Sequence, residues 1–424
     1  MARVSPALLV WTGWPRHLAR AGGSLSGALA LAAALVAAPA LAQPGGWVDP
    51  ASGIEFVRIT HPGNAPWTGP SLYNNNRGGV DYVYSIGRFE VTTAQWAEFM
   101  NAALDRPAGD AIPHVVAPYV WGAVGATPNN PGRPRFAVPA GNEMLPTGGI
   151  TWRTAAIYCN WLHNGKSTDR EAFLSGAYDV STFGYYLGGS TFTDQLTRSE
   201  GARYWIPSLD EWMKAAHWDP SKVNPDGTTG GWWEYSNGSD TPFVYGPPGI
   251  SVDGQPTNAN AGWSDFSFPG FNPYAVPLGA YSDAISPWGL LDVAGATSEW
   301  TVGYRQLSFE MYPRSRILEG SAWTAPNVAG DRVGVTGATT FPTLPSMDFG
   351  FRVASSVPAP GAFSLGVGAI LISVRRYRRT ENEPQSHTRN VGVRHRARRG
   401  RWHRGRHADR ATEIGGSASI SVPA

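Results

Sequence analysis

The chain has 424 residues, of which only 16% are charged, while glycine (51), proline (35) and tryptophan (18) are abundant. This composition excludes a helical bundle and favours a loop-rich fold with aromatic side chains in its core. Residues 375–424 hold 13 arginines against 4 acidic residues, whereas residues 43–374 hold 18 basic and 28 acidic residues. The central body is therefore acidic and is not expected to bind nucleic acid.

The N-terminal residues 1–42 have the pattern of a secretory signal peptide. Arg16 and Arg20 precede an apolar run at residues 25–39, and residues 40–42 (ALA) form a small-x-small cleavage site. A membrane-spanning helix is the alternative, but the run is rich in small residues and short for crossing a bilayer. We therefore expect an exported protein.

The first part of the body has strand-like and then helical periodicity. Residues 54–59 (IEFVRI) alternate apolar and charged side chains, which predicts a strand. Residues 82–91 (YVYSIGRFEV) predict a strand pair around Gly87. Thr92 or Thr93 is expected to cap a helix at residues 94–104, whose apolar face holds Trp96, Phe99, Met100 and Ala103.

Two further helices follow a loop that is rich in proline and glycine at residues 105–147. Thr151 is expected to cap a helix at residues 153–162, and Ser208 a helix at residues 210–217 with acidic residues in its first turn. Residues 219–287 consist mostly of turn motifs such as NPDG and NGSD. So long a loop either folds back on the body through aromatic anchors or is fixed by ions.

The only cysteine is Cys159, so neither an intramolecular disulfide nor a dithiol metal site is possible. It lies on the second predicted helix beside Tyr158 and Trp161, with Ala155, Tyr158 and Leu162 on the same inward face. This position indicates a small buried hydrophobic residue rather than a reactive thiol.

Six aromatic segments, taken in order, resemble the formylglycine-generating enzyme (sulfatase-modifying factor) family. The resemblance runs from about residue 56 to residue 354 and depends on the order and spacing of the segments rather than on any one of them. The segments are residues 90–99 (EVTTAQWAEF), 148–162 (GGITWRTAAIYCNWL), 204–216 (YWIPSLDEWMKAA), 288–301 (WGLLDVAGATSEWT), 317–325 (ILEGSAWTA) and 348–355 (DFGFRVAS).

The resemblance implies the α+β sulfatase-modifying-factor fold, a relative of the C-type lectin fold with little regular secondary structure. Its core is expected to be aromatic, and we expect one domain at residues 43–356. The expected core residues are Trp96, Trp152, Trp161, Trp212, Trp288, Trp300, Trp323 and Phe351.

Enzymes of this family oxidise a sulfatase cysteine with copper held by two cysteines five residues apart, and soft thiolates are the ligands that Cu(I) prefers. Aligned without gaps on Gly320 and Trp323, these two positions fall on Ala325 and Gly330. Neither residue carries a thiol, so we expect no catalytic residue and no copper. A second enzyme branch of the family uses non-haem iron, but the four histidines of the body lack paired spacing: His61, His114, His163 and His217.

Calcium is the remaining ion that the resemblance implies, since hard oxygen ligands in a rigid turn suit it. Glu299 matches the family's acidic residue, whereas Ala296 stands where an asparagine ligand is expected. The alternative is that Glu299 accepts backbone N–H bonds in a tight turn. The candidate ligands are Asn258, Asn260, Asp265, Gly295, Thr297 and Glu299.

The C-terminal region resembles a PEP-CTERM sorting signal, which an exosortase reads. Val357, Pro358 and Pro360 precede an apolar run at residues 361–374 and an arginine cluster that begins with Arg375 and Arg376. The run is too short for an ordinary spanning helix, and the arginines favour retention on the cytoplasmic side, so we expect a transient membrane anchor. Alanine at position 359 replaces the usual glutamate of the motif.

Residues 380–424 extend beyond the end of such a signal. They are dense in arginine and histidine with few apolar residues, which predicts a disordered segment. A tail that binds nucleic acid or anionic lipid is one interpretation, and a neutral extension is the other.

Two functions remain open from the sequence. The first is a non-catalytic module at the cell surface or outside the cell, which binds a glycan or protein ligand through an exposed aromatic or acidic patch on residues 219–287. The second is an oxidoreductase of the formylglycine-generating or non-haem iron type, which requires a metal cluster that the sequence pattern does not reveal.

Overall fold

The computed structural model describes residues 46–125, 135–186, 189–262, 268–324 and 328–356. These residues all belong to one compact unit, Met1–Pro360, and a second unit, Gly361–Ala424, lies outside them. The predicted signal peptide, sorting segment and basic tail likewise lie outside the described residues.

The three predicted helices are confirmed, each with the predicted cap. Thr92 Oγ1 accepts a hydrogen bond from Gln95 N, and Gln95 Oε1 accepts one from Thr92 N. Ser208 and Glu211 form the same reciprocal box. Thr151 accepts from Thr154 N at the start of the second helix. The described residues contain four α-helices, none long and apolar enough to cross a membrane. They are α1 (Thr93–Leu104), α2 (Trp152–His163), α3 (Glu171–Leu174) and α4 (Leu209–His217).

The strands are short, and long loops separate most of them. Within the described residues they are β1 (Trp47–Val48), β2 (Glu55–Ile59), β3 (Tyr84–Gly87), β4 (Val124–Gly125), β5 (Phe136–Ala137), β6 (Tyr204–Trp205), β7 (Trp218–Val223), β8 (Thr229–Trp232), β9 (Ser251–Val252), β10 (Gln255–Pro256), β11 (Ser298–Arg305), β12 (Ser315–Glu319), β13 (Ala338–Thr340), β14 (Phe349–Gly350) and β15 (Ala354–Ser355).

Two sheets organise this part of the chain. The larger has the strand order β1-β2-β3-β15-β6, so that the first and last strands of the domain meet in one sheet. The second has the order β13-β12-β11-β14, in which β11 pairs parallel with β14 and antiparallel with β12. The remaining strands form three two-stranded ribbons, β4-β5, β7-β8 and β9-β10. The domain is thus an α+β fold with few helices and many loops, as predicted.

The predicted strand pair around Gly87 is wrong, since only β3 forms there. After Gly87 the chain leaves the sheet, and Val91 N donates to Phe351 O instead of to a neighbouring strand of the pair. A Cβ at Gly87 would lie 2.9 Å from Phe89 O, so the chain turns more tightly than a larger residue allows. This turn places Glu90 in the interior just before α1.

Residues 219–287 contain more strand than the sequence predicted. The ribbons β7-β8 and β9-β10 fall largely within them. Aromatic side chains anchor the region to the body: Trp232 Nε1 donates to Ala65 O at 3.2 Å, and Tyr245 OH donates to Asp331 at 2.6 Å. Of the two alternatives for this region, these contacts support anchoring through aromatic residues.

The core is aromatic, as expected from the composition. Trp96, Tyr158 and Phe351 pack with ring centroids 5.3–5.9 Å apart, which joins α1 and α2 to the segment between β14 and β15. Of the eight predicted core residues, Trp288 alone is only half-buried; it stacks on Trp218 at the edge of the core. The other seven are buried.

Candidate functional site

Glu299, the acidic residue of the segment 288–301, lies on β11 in the interior of the domain. Arg352 donates to both carboxylate oxygens, from Nη2 to Oε1 and from Nε to Oε2, each at 2.6 Å. Trp212 Nε1 donates to Oε2 at 2.9 Å. These donors are side chains from α4 and from the residues after β14, not the backbone N–H groups that the sequence suggested.

Arg352 connects this carboxylate to two backbone segments. Its Nη1 donates to Gly87 O and Arg88 O, and its Nη2 donates to Leu291 O and Asp292 O, at 3.1–3.2 Å. Burial lowers the pKa of Arg352, but the charge and hydrogen bonds of Glu299, together with the charges of Glu90 and Asp292, outweigh burial and raise this pKa. The guanidinium is therefore charged, and its donors are shared between one carboxylate and four carbonyls.

A second buried carboxylate, Glu90, lies next to this pair and was not singled out from the sequence. It accepts hydrogen bonds from Thr297 N at 3.1 Å and from Thr297 Oγ1 at 2.7 Å. Burial and the nearby charge of Glu299 raise the pKa of Glu90 well above its ordinary value. The signal for these two residues was present, because Glu90 and Arg352 fall in the segments EVT and GFR that carry the family resemblance.

The predicted calcium ligands Asn260 and Gly295 do come together, as neighbours in an isolated parallel bridge. Asn260 O accepts from Ala296 N at 2.9 Å, and Asn260 Nδ2 donates to Pro273 O at 2.9 Å. A Cβ at Gly295 would lie 2.6 Å from the backbone of Asn260, so this approach requires glycine. Ala296 follows in the left-handed region at φ +55°, a conformation that an asparagine adopts more easily.

The other candidates for calcium are placed less favourably for a shared ion. Asn258 Oδ1 accepts from Val244 N at 2.7 Å, and Asp265 lies outside the described residues. At Glu299 a calcium ion would have to displace Arg352, and Thr297 Oγ1 already donates to Glu90. Calcium binding stays a prediction. Among the described residues, no three His, Cys, Asp or Glu side chains are grouped so as to hold a metal ion.

A buried carboxylate, Asp331, lies beside the segment on which the sequence alignment placed the two family cysteine positions. Asp331 accepts from Ser321 N and Ser321 Oγ at 2.8 Å and from Tyr245 OH at 2.6 Å. Burial raises the pKa of Asp331 to about 6. Gly330 lies just before it in a short 3-10 helix, and Ala325 is outside the described residues. In the described part of this loop, the carboxylate and hydroxyl groups thus bond to each other and stabilise its ends.

Glu319 lies at the end of β12, next to this loop, and is an unusual buried acid. Its Oε1 has no hydrogen-bond partner among the described residues. Burial raises the pKa of Glu319 to about 8, against the opposing effects of Asn74, Thr336 and Arg77. The carboxyl is accordingly neutral over most of the physiological pH range.

The sole thiol, Cys159, is fully buried on α2. Burial raises its pKa well above the ordinary value, so it is a neutral thiol at neutral pH. The thiolate is the form that attacks disulfides and binds soft metals. Cys159 therefore has the properties of a core residue, in agreement with the sequence interpretation.

The four histidines occupy four separate environments. His61 is exposed and packs near Trp288, at 5.9 Å between ring centroids. The ring of His114 lies 5.7 Å from that of Phe183, and His163 Nδ1 accepts from Arg203 N. His217 is buried on α4, and burial lowers its pKa to about 3, so it is neutral. These positions do not provide the paired imidazoles that an iron site requires.

The burial of Cys159 predicts slow thiol chemistry. In the native chain, an aromatic disulfide reagent is expected to release almost no thiolate product, and full reaction is expected only in denaturant, because the reagent reaches the thiol only on unfolding. Release of the coloured product, followed in buffer and in guanidinium, measures this. The variant Thr324→Cys, which places a thiol on an exposed residue, is the positive control. Rapid labelling of Cys159 in the native chain would contradict its place in the core.

Few helices, short strands, an aromatic core and a buried Glu–Arg pair define this domain as an α+β protein of the sulfatase-modifying-factor class. A family model described as "sulfatase-modifying factor enzyme 1-like domain" matches residues 79–357. The chain belongs to this family. No curated protein matches the sequence.

Several solved structures resemble the chain in fold. Treponema denticola variable protein 1 is 17% identical, with 72% of this chain and 95% of that chain covered and a TM-score of 0.40. CarF is 18% identical, with 72% and 99% covered and a TM-score of 0.41. PvdO from Pseudomonas aeruginosa is 15% identical, with 74% and 99% covered and a TM-score of 0.39. Similarity at this level bears on neither ligand nor activity.

Proposed function

We propose that the chain is an exported binding protein whose sulfatase-modifying-factor domain lacks the copper chemistry of the family's enzymes. The observation that carries this proposal is the position of its one thiol. Cys159 is buried in the core, and the two family cysteine positions hold Ala325 and Gly330. A Cu(I) site of the family type needs two thiolates. The residues present do not fit that metal.

The proposed location is the cell surface or the extracellular space. Export depends on the signal pattern of residues 1–42, and sorting on Val357, Pro358, Pro360, Arg375 and Arg376. An exosortase-like enzyme is the proposed partner for the C-terminal signal, and residues 361–374 act as a transient membrane anchor before processing. With these two signals, the proposed site of action of the domain is the envelope of a Gram-negative bacterium.

The proposed ligand is a glycan or another protein, since the acidic body disfavours nucleic acid. Its frame is rigid, because the buried Glu299–Arg352 pair and the aromatic core connect both sheets and α4. Loops on such a frame are free to vary without loss of the fold. Calcium, as the resemblance implies, is the one ion that we propose as a cofactor.

Metal analysis of the purified full-length chain tests the proposal. Copper and iron are expected to be far below one atom per chain after incubation with Cu(I) or Fe(II), whereas the double variant Ala325→Cys/Gly330→Cys is expected to gain Cu(I) binding. Elemental analysis and a colorimetric Cu(I) competition measure both. Calcium is quantified in the same samples.

The matched control is Ala325→Ser/Gly330→Ser, which adds similar volume without thiols and is expected to bind no Cu(I). Stoichiometric copper or iron in the unmodified chain would sink the proposal. It would favour the oxidoreductase alternative, with a redox centre built from other residues.

A further inference from the structure

A groove with a volume of about 300 Å³ opens on the surface between two turns. One wall comes from Tyr186 and residues 189–191, beside the isolated antiparallel bridge between Tyr185 and Phe192. The other is the turn at residues 306–314, which joins β11 to β12. A volume of this size is at the lower end of the range of small-ligand sites. The residues that matter for its chemistry are Tyr186, Ser190, Thr191, Phe309, Met311 and Arg314.

Hydrogen bonds hold both walls in place. Tyr186 N donates to Thr191 O at 3.0 Å, and Phe192 N donates to Pro313 O at 2.8 Å, which ties one wall to the other. The ring of Phe192 is fully buried and lies over the guanidinium of Arg316, at 4.6 Å from its centroid. These contacts connect the two walls to each other and to the interior of the domain.

The turn at 306–314 is stabilised by its own charges. Glu310 accepts from Leu307 N at 3.2 Å and from Arg314 Nε at 2.9 Å. The hydrogen bonds from Arg314 lower the pKa of Glu310, so both partners are charged and they neutralise each other. The groove thus presents a paired charge rather than a net one.

Large apolar side chains at this groove remain open to water. Phe309 is 80% exposed, Met311 70% and Tyr186 45%. The Tyr186 and Tyr312 rings pack against each other, with centroids 5.1 Å apart. Several large apolar side chains that line one groove, rather than scattered singly, mark a binding surface.

Three hydroxyl groups at the groove are available to a ligand. The hydroxyls of Tyr186, Ser190 and Thr191 make no hydrogen bond within the described part of the chain. A purely apolar ligand would cover the apolar side chains but would leave these hydroxyls without partners. An anionic ligand would find no unpaired positive charge. A neutral ligand with one apolar face and several hydroxyls satisfies both requirements.

We propose that this groove binds a pyranose ring of a neutral carbohydrate. The ring's C–H face packs on Tyr186 and Phe309, and its hydroxyls bond to the hydroxyls of Ser190 and Thr191 and to Arg314. This inference rests on the proposed binding function and names its ligand class. It also moves the ligand surface from residues 219–287, where the sequence prediction placed it, to the two turns.

The test is titration of the full-length chain with cellohexaose, chitohexaose and maltohexaose, and with an oligogalacturonate of similar length as the anionic comparison. Isothermal calorimetry measures affinity, and near-ultraviolet difference spectra report on tyrosine. We expect saturable binding of at least one neutral hexasaccharide. Tyr186→Ala and Phe309→Ala are each expected to weaken it about tenfold, since aromatic anchors dominate such sites.

Two further variants keep the test specific. Tyr186→Phe keeps the stacking ring and is expected to weaken binding less than Tyr186→Ala. Tyr119→Ala removes a tyrosine that is 63% exposed but does not line the groove. It is expected to leave the affinity for the hexasaccharide unchanged. Circular dichroism checks that each variant is folded.

Three results would overturn the assignment: no saturable binding of any neutral hexasaccharide, equal binding of the oligogalacturonate, or equal loss in Tyr119→Ala. A negative carbohydrate titration is distinct from a failure of the proposed function, because copper and iron binding decide the proposed function. A chain without redox metal and without carbohydrate affinity would keep the binding-module proposal and lose only this ligand class.

Discussion

Replacing Arg352 with methionine is expected to destabilise the domain by about 3–5 kcal/mol. Among the described residues, the substitution leaves the buried Glu299 with Trp212 as its one remaining side-chain donor, and desolvation of a carboxylate without a countercharge is costly. It also removes the donors to four backbone carbonyls. Guanidinium unfolding, followed by tryptophan fluorescence and far-ultraviolet circular dichroism, measures the loss.

A surface pair provides the matched control. Arg332 and Glu234 also form an ion pair, but their side chains are 51% and 31% exposed. Arg332→Met is therefore expected to change the free energy of unfolding by no more than about 1 kcal/mol. The double variant Glu299→Leu/Arg352→Met is expected to be more stable than Arg352→Met, because no unpaired charge remains at Glu299. If Arg352→Met and Arg332→Met lose equal free energy of unfolding, burial of the Glu299–Arg352 pair does not contribute to its effect on stability.

Glu319→Gln is expected to make the domain more stable at alkaline pH. The pKa of Glu319 is raised from its ordinary value of 4.5 to about 8 in the folded chain, so the native state holds this proton more tightly than the unfolded state. The stability that the protonated carboxyl supplies is present below about pH 4.5 and is lost as the pH rises towards 8. Glutamine keeps the shape but cannot ionise.

The expected difference is therefore small near pH 5 and reaches about 2–4 kcal/mol in favour of the variant near pH 8. Denaturant unfolding of both proteins across this range measures it. Asp292 and Asp331, whose pKa values burial raises to about 6, contribute with the same sign in both proteins and cancel in the comparison. The control is Glu171→Gln, because the side chain of Glu171 is 80% exposed. Its free energy of unfolding is expected to vary with pH as that of the unmodified chain does. If the free energies of unfolding of Glu319→Gln and of the unmodified chain change in parallel with pH, the raised pKa of Glu319 is refuted.

The helices show what local sequence specifies well. Each begins within one residue of its predicted start, because the caps Thr92, Thr151 and Ser208 act on backbone N–H groups only two or three residues away. The prediction failed where local pattern was ambiguous. Residues 82–91 read as two strands, but the backbone turn at Gly87 sends the second half into the core.

The groove proposed for a carbohydrate shows what local sequence does not specify. Nothing in the spacing of Tyr186 and Phe309 indicates that they line the same groove, since they lie far apart in the chain. Their meeting depends on the hydrogen bond between Phe192 N and Pro313 O, which is a product of tertiary packing. The ligand surface that the sequence predicted on residues 219–287 came from loop length and composition alone, and it stays a prediction.

The sequence by itself determined the family, the helix positions and the aromatic core, because each follows from residue identity and short-range spacing. Only the tertiary structure decided what the buried acids do. Glu299 meets Arg352 across 53 residues and Trp212 across 87, and Glu90 meets Thr297 across 207. Such partners are chosen by strand order and register, which bring distant segments together and exclude water from the charges they share.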